Sequence, residues 1–459
     1  MNLRDYQLEI SRKANEILSR KNIVYLAMEV RTGKTATSLE IARLYGSKRV
    51  LFLTKKKAIK SIESDYKDFG FSEHFDLTVI NDESMHKIGV DYDLIIHDEH
   101  HRFGAFPKPG THTKMYKKMF GLKPMIFLSG TPTPESYSQI YHQFWVSLYS
   151  PFSHYVNFYR WADDYVNKYQ RSINGIMINE YDKGIEHKIM SAVNEYMITF
   201  QQKQAGFSTE IEEEILHIAM SDTTKNIIKK LERDLVVEGK DEVILADTPV
   251  KLMQKLHQLW SGTVKFESGN SMILDTTKAE FIKSQFSTKR IGIFYKFKEE
   301  LNVLKQVFGD DLTTELHKFD DGEYQAIALQ IVSGREGISL KNADYVVFYN
   351  IDFSATSYWQ ARDRMTTMTR KFNKVYWIFS DGGIEDKIYD SVKAKKNIQL
   401  TFLRKTMETK IKDQLKLIRD IELDIIKLKR FKLEAEQELE SLISEANDQL
   451  KINFYEDIK

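Results

Sequence analysis

The sequence predicts an α/β fold of two parallel-sheet domains, with a mainly helical insertion between them and a long helical, coiled-coil-like extension at the C-terminus. Three observations carry this. Between residue 23 and about 130, short apolar runs ("IVYLAM", "VLFLT", "FDLTVI", "DLIIHDE", "MIFLSGT") alternate with helix-period segments, the pattern of buried parallel strands in βαβ units. The same rhythm returns at "RIGIFY", "AIALQIVS", "DYVVFYN" and "KVYWIFS". After Gly383 there is neither Gly nor Pro, and apolar residues from Ile411 to Leu450 recur at a mean spacing of about 3.5 with Lys and Glu between them.

These elements divide the chain into 1–135, 136–272, 273–400 and 401–459. The second segment is rich in aromatics at helical spacing, as in "SQIYHQFWVSLY" and "NFYRWADDYVNKY", which is read as core packing against a neighbouring domain. The last is a long amphipathic helix or helical hairpin. It is compatible with folding back, with oligomerisation or partner docking, and with DNA contact through "KLKRFK"; folding back is preferred.

A chain of 459 residues exceeds one compact core, and 42% hydrophobic with 29% charged residues is a globular composition. Cys 0 excludes thiolate catalysis, disulfides and Cys-ligated zinc. A net charge of +1 leaves any nucleic-acid surface to local clusters of Lys and Arg. The start "MNLRDYQLEI" lacks the pattern of a signal or transit segment and no run is long enough to span a bilayer, so a soluble, cytoplasmic protein is expected.

"MEVRTGKTA", residues 28–36, places Gly33-Lys34-Thr35 between an apolar run and a helix-like segment. Such a loop cradles phosphates on backbone amides, with Lys34 reaching the terminal phosphates and the Thr35 hydroxyl binding Mg²⁺. Its usual glycines are Met28 and Arg31 here. In "LIIHDEHHRF" Asp98 and Glu99 end an apolar strand, where one carboxylate can hold Mg²⁺ through water and the next orient an attacking water. His100 and His101 are adjacent, point in different directions and have no third ligand nearby in the sequence, which argues against zinc. A third strand end, Ser129-Gly130-Thr131-Pro132, offers close backbone approach to these groups.

In series these segments resemble superfamily 2 helicases and translocases, within them the Swi/Snf-type group, especially small phage members. "LRDYQ" is similar to the adenine-sensing Q motif, "EVRTGKT" to motif I, "LFLTKKK" to motif Ia, "DEHH" to the DEXH box and "SGTP" to motif III. In the second half "IGIFYKFKEE", "IVSGREGISL" and "YWQARDRMTTMTR" resemble motifs IV, V and VI. The resemblance covers roughly residues 1–400 and implies two RecA-like lobes around one ATP and Mg²⁺. It implies that Gln7 reads the base, that Arg31, Thr32, Gly33, Lys34, Thr35 and Gly337 contact the nucleotide, and that Thr35 and Asp98 hold the metal. Glu99, Asp98, Lys34, Gln360 and Arg364 are the implied catalytic groups. Lys55, Lys56, Lys57, Ser333 and Ser339 are implied at DNA, a sequence-independent, salt-sensitive contact.

Motif VI departs from the family. Its pattern Q-x-x-x-R-x-x-R maps onto Gln360 and Arg364, but the second arginine falls at Thr367. Arg370, Arg362 and Arg335 are the candidates to replace it, with Arg370, one helical turn beyond, placed in the catalytic set. The expected activity is an ATP-dependent DNA translocase or helicase acting on duplex or branched DNA in replication, recombination or repair. The alternatives are a nucleotide-gated DNA clamp or scaffold with little turnover, and the motor subunit of a restriction system. The phage-like resemblance implies a host-cell cytoplasm.

Overall fold

The computed structural model describes residues 2–173, 176–207, 209–239, 241–334, 339–367 and 370–456. Its core is two six-stranded sheets, each wholly parallel. In the first the order is Asp76–Asn81, Arg49–Thr54, Leu94–His97, Met125–Ser129, Ile23–Met28, Met197–Phe200. Ile23–Met28 and Met125–Ser129 are buried at every position, as strands covered on both faces must be, so their apolar residues run without alternation. Leu94–His97, Met125–Ser129 and Ile23–Met28 lie side by side and point the same way. The loops leaving their C-terminal ends therefore emerge together, where open α/β sheets bind ligands.

The second sheet has the order Leu312–Thr313, Ala326–Gln330, Ile291–Tyr295, Tyr345–Phe348, Phe372–Ser380, Glu210–Ile218. Helices such as Lys298–Phe308 and Ala355–Arg362 cover it.

Residues 136–272 are helix-rich, with Ile140–Trp145, Phe158–Tyr165, Glu186–Val193, Asp222–Asp234 and Pro249–Trp260. Tyr141, Phe144, Phe152 and Trp161 are buried together, an aromatic core. The same segment also supplies an edge strand to each sheet, which helical spacing did not announce. Met197–Phe200 pairs with Ile23–Met28, and Glu210–Ile218 with Phe372–Ser380 over nine residue pairs. In "EIEEEILHI" the two-residue period puts Ile211, Glu213 and Ile215 on one face; the two isoleucines pack on the second lobe's core and carry Glu213 inward with them.

The last helix runs Glu385–Glu456, starting well before residue 401. Its first residue is fixed by a fully buried pair, Lys278 Nζ to Glu385 Oε1 at 3.0 Å. All residues from 415 to 443 are exposed, including Ile418, Ile421, Ile425 and Leu428. No helix among the described residues is long and apolar enough to cross a membrane.

Candidate nucleotide site between the lobes

The first sheet sets up the phosphate loop. After Met28 the chain turns through Arg31 (φ 64°) and Gly33 (φ 78°) into helix Lys34–Tyr45. Gly33 caps this helix without a side chain, so its first amides have no side-chain acceptor and are suited to an anion. Lys34 Nζ donates to the carbonyls of Met28 (3.0 Å) and Glu29 (3.1 Å), and buried Thr32 donates to Glu29 O at 2.7 Å. Burial lowers the Lys34 pKa, while Glu99 and Asp98 support its charge. Thr35 is half-buried in the first turn.

Helix Asp5–Lys21 braces this loop from outside. Gln7 accepts from Arg4 N at 2.9 Å and donates to Gly33 O at 3.3 Å, while Tyr6 donates to Thr32 O at 3.2 Å and stacks on Phe200. A Cβ on Gly33 would lie 2.3 Å from Gln7 Nε2, so this glycine is needed both for its positive φ and for the close approach.

The carboxylates follow Leu94–His97. Asp98 accepts from Thr54 Oγ1 at 3.0 Å, and burial beside Glu99 pushes its pKa up to about 7. Glu99 takes a left-handed backbone (φ 49°), unusual for a residue other than Gly or Asn. His101 Nδ1 lies 3.3 Å from Glu99 Oε2 and 2.9 Å from Ser129 Oγ, which also accepts from Thr131 N at 3.0 Å. His101 thus ties the acidic loop to "SGTP". At Gly130 an added Cβ would sit 3.4 Å from Met28 O, so that loop also backs the phosphate loop. His100 turns the other way, into the core. It stacks on Phe127 and meets His97 Nδ1 at 2.6 Å and Gln143 O at 2.7 Å, and burial lowers it to about 3, so it stays neutral.

From the second lobe, Gln360 Nε2 donates to Glu99 Oε1 at 3.3 Å. Arg364 is close enough for its charge to oppose that of Lys34. Lys34, Asp98, Glu99, Gln360 and Arg364 are therefore brought together. Arg370 is not: its guanidinium donates to the second lobe's own carbonyls, Ala343 at 2.7 Å and Asp344 at 2.8 Å among them. Arg362 is also committed, to Glu213 Oε1 at 3.0 Å. Ser339 is half-buried; Arg335 and Gly337 lie outside the described residues, as does the side chain of Ser333. Lys55, Lys56 and Lys57 follow strand Arg49–Thr54, with Lys56 and Lys57 exposed.

Glu213 escaped sequence reasoning. It accepts from Tyr358, Arg362, Trp377 (3.1 Å) and Tyr389 (3.2 Å), and so anchors the helix that carries Gln360. The available signal was a carboxylate sharing the inward face of a strand with two isoleucines.

The residues fit a nucleoside triphosphate with a divalent cation. Uncapped helix amides and Lys34 suit the phosphates, and Asp98, buried and costly to ionise alone, is a group whose charge a hydrated cation would stabilise.

Two family models match, one in each half of the chain: "Type III restriction enzyme, res subunit" over residues 1–86 and "Helicase conserved C-terminal domain" over residues 273–367. Among curated proteins, the chromatin-remodeling ATPase INO80 of Vanderwaltozyma polyspora is 23% identical over 261 residues, 51% of this chain and 17% of that protein. These matches support the resemblance to superfamily 2 helicases of the Swi/Snf type. The INO80 match spans only 17% of that relative's length. Two solved structures also align. The Sulfolobus solfataricus SWI2/SNF2 ATPase core in complex with dsDNA is 14% identical, covering 87% of this chain and 92% of that one, with a TM-score of 0.40. The Pyrococcus furiosus Hef helicase domain is 15% identical, covering 85% and 98%, with a TM-score of 0.43.

Proposed function

We propose that this protein is an ATP-dependent DNA translocase that couples hydrolysis to movement on duplex or branched DNA in the cytoplasm. The observation that carries the reading is the meeting of Gln360 and Arg364 of the second lobe with Lys34, Asp98 and Glu99 of the first. In this reading Lys34 and the loop amides bind the phosphates and Gln7 senses the base. Thr35 and Asp98 hold Mg²⁺, which neutralises phosphate charge when bound. Glu99 orients the attacking water, and Gln360 and Arg364 complete the site only when the lobes face each other. Lys55, Lys56, Lys57, Ser333 and Ser339 contact the DNA backbone, and the C-terminal helix serves assembly or partner docking.

The test is steady-state ATP hydrolysis by the parent and Lys34→Ala with no DNA, single-stranded, duplex and forked DNA, followed by displacement of a triplex-forming strand from duplex DNA. Strong stimulation by duplex or forked DNA, lost in the variant, together with ATP-dependent displacement, is expected. Flat rates on every DNA, with binding intact, would replace the translocase by a nucleotide-gated clamp.

A further inference from the structure

Arg31 stands where phosphate loops usually have glycine, and its backbone is left-handed, a conformation unfavourable for a residue with a Cβ. Its side chain does something glycine cannot. One guanidinium nitrogen donates to Arg364 O at 2.6 Å and another to Thr366 O, both in the second lobe. Those acceptors belong to a braced segment. Arg364 O also accepts from Leu340 N at 2.8 Å, Thr366 N donates to Asp363 O at 3.1 Å, and the Thr366 hydroxyl accepts from Asn373 at 3.0 Å. A planar fork gripping two carbonyls fixes orientation as well as distance.

From this we infer that Arg31 is a positioning residue that fastens the phosphate loop to the segment carrying Arg364 and thereby sets where that arginine sits in the cleft. The family's second motif VI arginine is Thr367 in this chain, and Arg31 makes a bridge between the lobes from the first side. The catalytic part of this inference rests on the hydrolysis reading above, whereas the fastening does not.

The test uses the full chain with Arg31→Ala and Arg31→Lys. Arg31→Ala is expected to lower kcat for DNA-stimulated hydrolysis about tenfold or more while KM for ATP moves less than about threefold, the signature of a lost arrangement rather than lost binding. Arg31→Lys keeps the charge but not the fork, and should stay nearer to Arg31→Ala than to the parent. Because the chain has no cysteine, Glu73→Cys and Thr288→Cys, both at exposed positions of different lobes, allow a spin-label distance measurement. That distance is expected to lengthen or broaden in Arg31→Ala. An unchanged kcat and distance, or a Lys variant as active as the parent, would overturn the inference. If the parent hydrolyses no ATP on any DNA, the hydrolysis reading fails, and the spin-label distance still decides whether Arg31 fastens the lobes.

Discussion

Gln360 Nε2 donates to Glu99 Oε1 at 3.3 Å although 261 residues separate them in sequence. One sits on a helix of the second lobe and the other on a loop of the first, so the bond exists only when the two sheets present their loop ends to one cleft. The left-handed backbone of Glu99 is part of how that carboxylate is presented.

Gln360→Glu keeps the shape and sets a second carboxylate against Glu99. DNA-stimulated ATP hydrolysis is expected to fall about 10- to 100-fold through like-charge repulsion. Parent-like steady-state rates would mean that this contact is incidental.

Asp98 has a raised pKa, about 7, so the fold holds its proton more tightly than the unfolded chain does. The sign follows: its protonated form favours folding, and stability is lost as pH rises from the unfolded value near 4 through about 7. Asp98→Asn should therefore unfold at a higher temperature than the parent at pH 8, with a smaller gain at pH 5, and should lose hydrolysis at both. Thermal melts at the two pH values check this, and an equal gain at both would disprove the assignment.

Glu213 is the acceptor on which Arg362, Tyr358, Trp377 and Tyr389 converge, and Arg362 helps hold its pKa below the usual carboxylate range. Glu213→Ala leaves a buried guanidinium without this partner, at a cost of about 3–5 kcal/mol. Urea unfolding measures it; a loss below about 1 kcal/mol would show that the cluster is readily rebuilt around water.

Gly33→Ala forces a Cβ onto Gln7 Nε2 and into a positive φ. The phosphate loop should shift, and affinity for a fluorescent ATP analogue should fall at least about tenfold, or about 1.4 kcal/mol. Unchanged affinity would show that helix Asp5–Lys21 yields easily.

Replacing Lys55, Lys56 and Lys57 together by Ala should weaken binding to unrelated duplexes alike and flatten the slope of log affinity against log salt by up to about 3. A slope equal to the parent's would remove this turn from the DNA surface.

Most of the two-lobe fold was legible because a buried parallel strand has no polar alternation to blur it: "IVYLAM" and "MIFLS" could hardly be anything else. The short edge strand Met197–Phe200 was not, since four residues carry too little periodicity, and "EIEEEILHI" hid behind its charges. For the site, Lys34, Asp98 and Glu99 came to notice because their spacing from strand ends is local information, whereas Gln360 and Arg364 came only from the resemblance to motif VI. The engagement of Arg370 with carbonyls, the grip of Arg31 on the second lobe and the convergence on Glu213 depend on which distant backbones come near, and no local pattern encodes that.

The two edge strands contributed by residues 136–272 also bear on mechanics. Phe200 ends the strand in one sheet and Glu210 begins the strand in the other, leaving nine residues between. Fully drawn out, such a leash reaches about 30 Å, and any separation of the sheet edges it joins is bounded by that length. Its ends are pinned beside the chemistry: Gln202 donates to Val30 O at 2.9 Å and to Glu29 Oε2 at 2.7 Å, and Thr209 donates to Thr367 O at 3.2 Å. Any separation of the lobes would tug on both the phosphate loop and the segment after Arg364, so the tether that bounds such a separation would also transmit it to the site.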